Sequence, residues 1–115
     1  MPVQRGEIYM VNPNPVQGRE QAGRRPVLVL SADAINRLPL VVTVVVGTKG
    51  ENVTRDFPTN FRVSPAESGL PIETVFLCFQ LRSLDPGRFS GLPAGQVSGE
   101  TLGKIETAVR HCLGL

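Results

Sequence analysis

The chain has 115 residues, 41% hydrophobic and 19% charged, with a formal net charge of +2. That length suits one domain, 1–115, with one core, and the hydrophobic share argues against disorder. A charge so near balance does not by itself announce nucleic acid, so any basic footprint has to come from local clustering.

The first predicted strand is Glu7–Val11 and the second covers 26–30 (Pro-Val-Leu-Val-Leu). The segment between them, from Asn12 to Arg25, is far longer than an economical hairpin turn. A long loop on two stiff strands usually exists for function. This one carries Gln17, Arg19, Glu20, Gln21, Arg24 and Arg25, and guanidinium groups suit phosphate.

Ser31 reads as the N-cap of a short helix closed by Pro39. Residues 40–46 (LVVTVVV) are apolar on both parities, which predicts a central strand covered on both faces. Gly47 is expected to end it, with Thr48, Lys49 and Gly50 opening a loop. Residues 51–60 are polar, and Phe57 with Phe61-Arg62-Val63 suggests a modest edge strand. Ser64-Pro65-Ala66-Glu67-Ser68-Gly69 has the signature of one capped helical turn. Thr74–Leu84 predicts a long apolar strand bent near Gln80, and Asp85-Pro86-Gly87-Arg88 a turn.

Residues 98–113 form the best helix, capped by Ser98 and stopped by Gly114. Leu102, Ile105, Val109, Cys112 and Leu113 supply its apolar stripe. Strands first and one amphipathic helix last predict a mainly β, α+β domain. It should be a small, strongly bent antiparallel sheet or barrel with helices attached.

Cys78 and Cys112 lack metal-type spacing, and a single His cannot complete a zinc set with them, so two buried thiols are expected and no metal. His111 falls on the polar face of the last helix, and the five Phe are expected mostly in the core. Residues 1–6 are polar, and the longest apolar stretch, 38–46, is too short to span a bilayer. A soluble, cytoplasmic protein with no membrane partner is the expectation.

Several of these pieces, in this order, resemble MazF/PemK-type toxins. They are Arg5-Gly6-Glu7-Ile8-Tyr9, Gly18-Arg19-Glu20-Gln21 and the run from Arg25-Pro26 to Ser31. The likeness continues at Val44-Val45-Val46-Gly47-Thr48, at Phe79-Gln80-Leu81-Arg82-Ser83-Leu84-Asp85, and in the closing helix. The resemblance implies an SH3-like barrel assembled as a homodimer, with metal-independent and cofactor-free cleavage of single-stranded mRNA. It also implies a small acidic antitoxin as partner.

Carried onto this chain, the resemblance makes Arg25 and Thr48 the catalytic candidates, with Glu20 as a further binding or catalytic group. Gln17, Arg19, Gln21, Arg24, Gln80 and Arg82 become RNA-binding candidates. Gly47 stands where the family leads one to expect an apolar residue, which leaves Thr43 as the alternative threonine. Glu20 can equally pair with Arg19 or Arg24 in solvent.

Metal-free RNA cleavage requires an activated 2′-hydroxyl, a stabilised phosphorane and a protonated 5′-oxygen, giving a 2′,3′-cyclic phosphate and a 5′-hydroxyl. Two other readings stay open: a same-fold toxin that binds DNA gyrase without catalysis, and a catalytically silent RNA-binding barrel.

Overall fold

The described residues form six strands: β1 (Glu7–Val11), β2 (Arg25–Val29), β3 (Val42–Lys49), β4 (Asn60–Val63), β5 (Thr74–Leu84) and β6 (Gly95–Gln96). Three helices accompany them: α1 (Asp33–Asn36), α2 (Pro65–Ser68) and α3 (Gly99–Leu113). The computed structural model describes residues 3–14, 16–18, 23–38 and 40–115. All the paired strands run antiparallel, in the order β4-β5-β3-β2-β1-β6, and the sheet forms a half-barrel.

β3 lies inside the sheet with apolar layers on both faces, as its sequence predicts. Val42, Val44 and Val46 join Tyr9, Val11, Val27, Val29 and Leu84 in one cluster. Val45 joins Ile8, Leu28, Phe76 and Cys78 under Ile105, Ala108 and Val109 of α3 in the other. At about 25 cal/mol per Å² of apolar surface, these two layers supply the main driving force for the fold.

β3 does not stop at Gly47. It continues to Lys49, with Gly47 opposite Phe76 and Thr48 opposite Val75. A Cβ at position 47 would lie 3.1 Å from two Phe76 ring atoms and from the Thr74 methyl, so glycine lets the buried ring close on the strand.

The bend expected near Gln80 is a slip in the ladder. Val45 pairs with Leu81 but Val46 pairs with Leu77, so Cys78, Phe79 and Gln80 have no partner on β3. Extra residues on one strand bend it and re-aim its side chains.

The helix after β2 starts later than expected. Ala32, not Ser31, occupies the N-cap. The Ser31 hydroxyl donates instead to Asn36 Oδ1 (2.6 Å) and accepts from the Thr43 amide (3.1 Å), tying the turn to β3. Pro39 lies outside the described residues.

In α2, Ser64 and Glu67 form the expected capping box, and Gly69 closes the turn at φ 80°. Glu67 also accepts from the Thr101 hydroxyl of α3 at 3.3 Å. The bonds from Ser64 and Thr101, with Lys104 nearby, hold its carboxyl below the ordinary range.

α3 is capped by Ser98 and ended by Gly114 in the left-handed conformation, as predicted. The helix buries Thr101, Ile105, Ala108 and Val109, while Leu113 is exposed. At roughly 100° per residue, Leu113 lies about 80° around the helix from Ile105, on the flank of the stripe. His111 is exposed.

Cys78 is buried, and burial pushes its thiol up to about 12, while Cys112 is only half-buried. β6, two residues long, went unread because Gly-Gln carries no strand signal. A side chain at Gly95 would meet the Ser68 carbonyl oxygen at 2.2 Å, which sets the close approach of β6 to α2.

Candidate functional site

The β2–β3 ladder pairs Val27 with Val46. Continuing that antiparallel register by two residues brings Arg25 opposite Thr48, and the side chains meet there. Arg25 Nη1 lies 3.4 Å from Thr48 Oγ1, and Asn52 Nδ2 donates to the same oxygen at 3.0 Å. A hydroxyl that accepts two donors still has its own hydrogen to give to an anionic oxygen. Arg25 is half-buried at the head of β2, and Thr48 is buried.

Thr48 lies at the wall of a groove of about 740 Å³ between the 51–60 segment and β5. Asn52, Arg55, Phe57, Asn60, Phe79 and Gln80 line it as well. Arg25 itself lines a separate, smaller cavity of about 140 Å³, where Arg24, Arg25 and Lys49 meet Met10, Leu70 and Ile72. Arg24 and Lys49 are exposed, so three cations gather at the junction of β2 and β3. Such a cluster on fixed strands suits a phosphodiester.

Thr43, the alternative threonine, is remote from this arrangement in register. It sits opposite Ser83, with the two hydroxyl oxygens 3.2 Å apart. Gln80 lines the groove from the slipped part of β5. Arg82 Nη1 donates to the Pro13 carbonyl at 2.6 Å, bracing the stem of the first loop. Arg88 does the same for Asn12 and Asn14, at 2.8 and 2.7 Å. Gln17 is exposed on that loop. Arg19, Glu20 and Gln21 lie outside the described residues.

Sequence reasoning passed over four contributors. Asn52 follows Thr48 by one turn of a short 3-10 helix, Gly50–Asn52, in a stretch whose polar composition gave no periodic signal. Arg62 on β4 secures the same loop. Its guanidinium reaches the Gly50 carbonyl (3.1 Å), the Val53 carbonyl (2.7 Å), Glu73 (2.8 Å) and Asp56 (3.1 Å). Phe57 and Phe79 are not core residues, because only Phe76 among the five is fully buried. The loop carries Phe57 out, and the slip in β5 turns Phe79 out.

The half-barrel with its closing helix is the fold of solved MazF toxins. The chain superposes on MazF from Deinococcus radiodurans with a TM-score of 0.82 at 24% identity, covering 100% of this chain and 99% of that one. The chain belongs to the family of PemK-like, MazF-like toxins of type II toxin–antitoxin systems, whose family model matches residues 4–113. A curated relative, Endoribonuclease MazF of Staphylococcus saprophyticus, is 30% identical over 113 residues, 98% of this chain and 92% of that protein. The Staphylococcus epidermidis protein of the same name is 35% identical over 86 residues, 75% of this chain and 71% of that protein. A mycobacterial endoribonuclease solved with its cognate antitoxin is 26% identical, with a TM-score of 0.78 over 98% of this chain and 96% of that one.

Proposed function

We propose that this chain is a toxin that cuts single-stranded mRNA, using the substrate's own 2′-hydroxyl as nucleophile. The observation that carries the reading is Arg25 on Thr48, with Thr48 at the wall of one groove and Arg24, Arg25 and Lys49 lining a second cavity. Family membership and the name endoribonuclease on its curated relatives support the activity.

The 2′-oxygen forms a bond to phosphorus and loses its proton to a base, for which Glu20 is the candidate. The phosphorane carries extra charge on its nonbridging oxygens, where the Arg25 fork and the Thr48 hydroxyl donate. The bond to the 5′-oxygen then breaks and that oxygen takes a proton. The products are a 2′,3′-cyclic phosphate and a 5′-hydroxyl, and DNA survives. Arg19, Arg24, Gln17, Gln21, Gln80 and Arg82 are assigned to holding or bordering the RNA.

A homodimer acting in the cytoplasm and held by an acidic antitoxin is the expected assembly. The antitoxin-bound mycobacterial relative supports the partner. A disordered acidic tail over the groove would compete with RNA for Arg24 and Arg25.

The test is incubation of the pure, antitoxin-free protein with a long RNA in excess EDTA. Discrete fragments ending in 2′,3′-cyclic phosphate are expected. Arg25→Ala should slow the cut by roughly a hundredfold or more while circular dichroism stays native. Intact RNA with folded wild-type protein would overturn the proposal.

A further inference from the structure

Thr48 keeps only 3% of its surface exposed, yet it stands at the wall of the groove. A hydroxyl oxygen has two lone pairs and one hydrogen to place around it. Arg25 Nη1 and Asn52 Nδ2 occupy the lone pairs, at 3.4 and 3.0 Å. The hydrogen has one direction left, and no group among the described residues accepts it.

The two donors are not equal. At 3.4 Å the Arg25 bond is near the limit of hydrogen-bond length, so Asn52 holds the oxygen more firmly. A guanidinium that turns onto a phosphate loosens its hold on the hydroxyl, whereas the neutral carboxamide has no charge to draw it away. The backbone around Asn52 is fixed on both sides. The Gly50 amide donates to the Glu73 carbonyl at 2.9 Å, and Arg62 donates to the carbonyls of Gly50 and Val53 at 3.1 and 2.7 Å. A Cβ at position 50 would lie 2.5 Å from Glu73 Oε1, so glycine lets the turn seat there. Asn52 is exposed and lines the same groove as Thr48, so burial does not explain so firm a mounting.

We propose that Asn52 is a positioning residue: its carboxamide, with Arg25, turns the Thr48 hydrogen toward one nonbridging oxygen of the scissile phosphate. The assignment rests on the ribonuclease reading above. A donor aimed in advance costs no reorganisation as charge develops on that oxygen. Without the carboxamide the hydroxyl rotates among its staggered positions and spends part of its time aimed elsewhere. A carboxylate at the same place is worse. It only accepts, so it draws the Thr48 hydrogen away from the phosphate. Asn52 acts through Thr48 and touches no reacting atom.

The experiment uses the full chain and a short RNA with one cut, its position mapped first with wild type. One nonbridging oxygen of the scissile phosphate is replaced by sulfur, and the two diastereomers are cut separately under single-turnover conditions. Sulfur is a weak acceptor, so wild type should cut one diastereomer roughly tenfold more slowly than the other. Thr48→Val should lose that discrimination, which marks the oxygen the hydroxyl serves. Asn52→Asp, an isostere, should slow the all-oxygen RNA by roughly a hundredfold and lose the same discrimination. Added to Thr48→Val, it should cost no more than about twofold. Asn52→Ala should lose roughly tenfold in kcat at unchanged KM and narrow the same ratio, and it serves if the aspartate variant does not fold.

Equal cutting of the two diastereomers by wild type overturns the assignment. So do wild-type rates in folded Asn52→Asp, which would make residue 52 the acceptor of the Thr48 hydrogen. A slower Asn52→Asp with the diastereomer ratio intact overturns it too, because plain repulsion of the RNA slows both alike. If wild type leaves RNA whole in excess EDTA, the ribonuclease reading fails and takes this role with it. If wild type cuts and one of the three results above is found, the positioning role fails alone.

Discussion

Gly47→Ala measures how tightly the site is built. The added methyl would lie 3.1 Å from two ring atoms of Phe76 and from Thr74 Cγ2. Phe76 is fully buried and Thr74 nearly so, which leaves neither free to retreat. Overpacking of this kind costs about 1–3 kcal/mol, and replacing glycine in a strand returns about 0.5–1 kcal/mol. The net is a loss of about 0–2.5 kcal/mol, centred near 1 kcal/mol, and a chain of this size loses about 4 °C in Tm per kcal/mol. The midpoint of thermal unfolding followed by circular dichroism should therefore drop by about 4 °C. Phe76→Leu opens room opposite position 47, so in that background the alanine penalty should shrink, and a double-mutant cycle reads the coupling. A Tm equal to or above wild type for Gly47→Ala alone would refute the packing argument.

Two further perturbations test the parts around the groove. Arg62→Lys keeps the charge but loses the fork that joins Gly50, Val53, Asp56 and Glu73, so the loop carrying Asn52 and Phe57 should loosen. Single-turnover RNA cleavage should fall by roughly tenfold, and an unchanged rate would show that the loop needs no clamp. Glu67 has a folded pKa below its unfolded value, so its contribution to stability is full above about pH 5 and fades as pH falls through the folded value. The gap in urea midpoint between wild type and Glu67→Gln should hold constant above about pH 5 and narrow toward about pH 3. A gap that ignores pH would mean the charge at this cap contributes nothing.

The sequence was most legible where one physical signal dominated. Strands β1 and β5 fall where apolar patterning puts them, and the caps of α2 and α3 follow from Ser64, Glu67, Ser98 and Gly114. Arg25 stood out through the family-like Arg25-Pro26 step rather than through residue type, which alone suits an ordinary surface arginine, and the structure sets it beside Thr48. Gly47 misled because a glycine ordinarily weakens a strand, whereas here it makes room for a ring arriving from 29 positions further along the chain. Asn52 and Arg62 were silent for a related reason. Their roles depend on which distant backbone they face, and polar residues leave no periodic trace of that. The five Phe were expected mostly in the core because hydrophobicity alone says inside; Phe57 and Phe79 are the exposed ones, and the ladder slip turns Phe79 out.

That slip has an evolutionary consequence. Phe79 sits exposed on the longest strand of the sheet, in the stretch that has no ladder partner on β3. Its side chain can be exchanged without disturbing the valines that hold the half-barrel together. A lineage can therefore vary that position, step by step, on a scaffold that never has to be renegotiated.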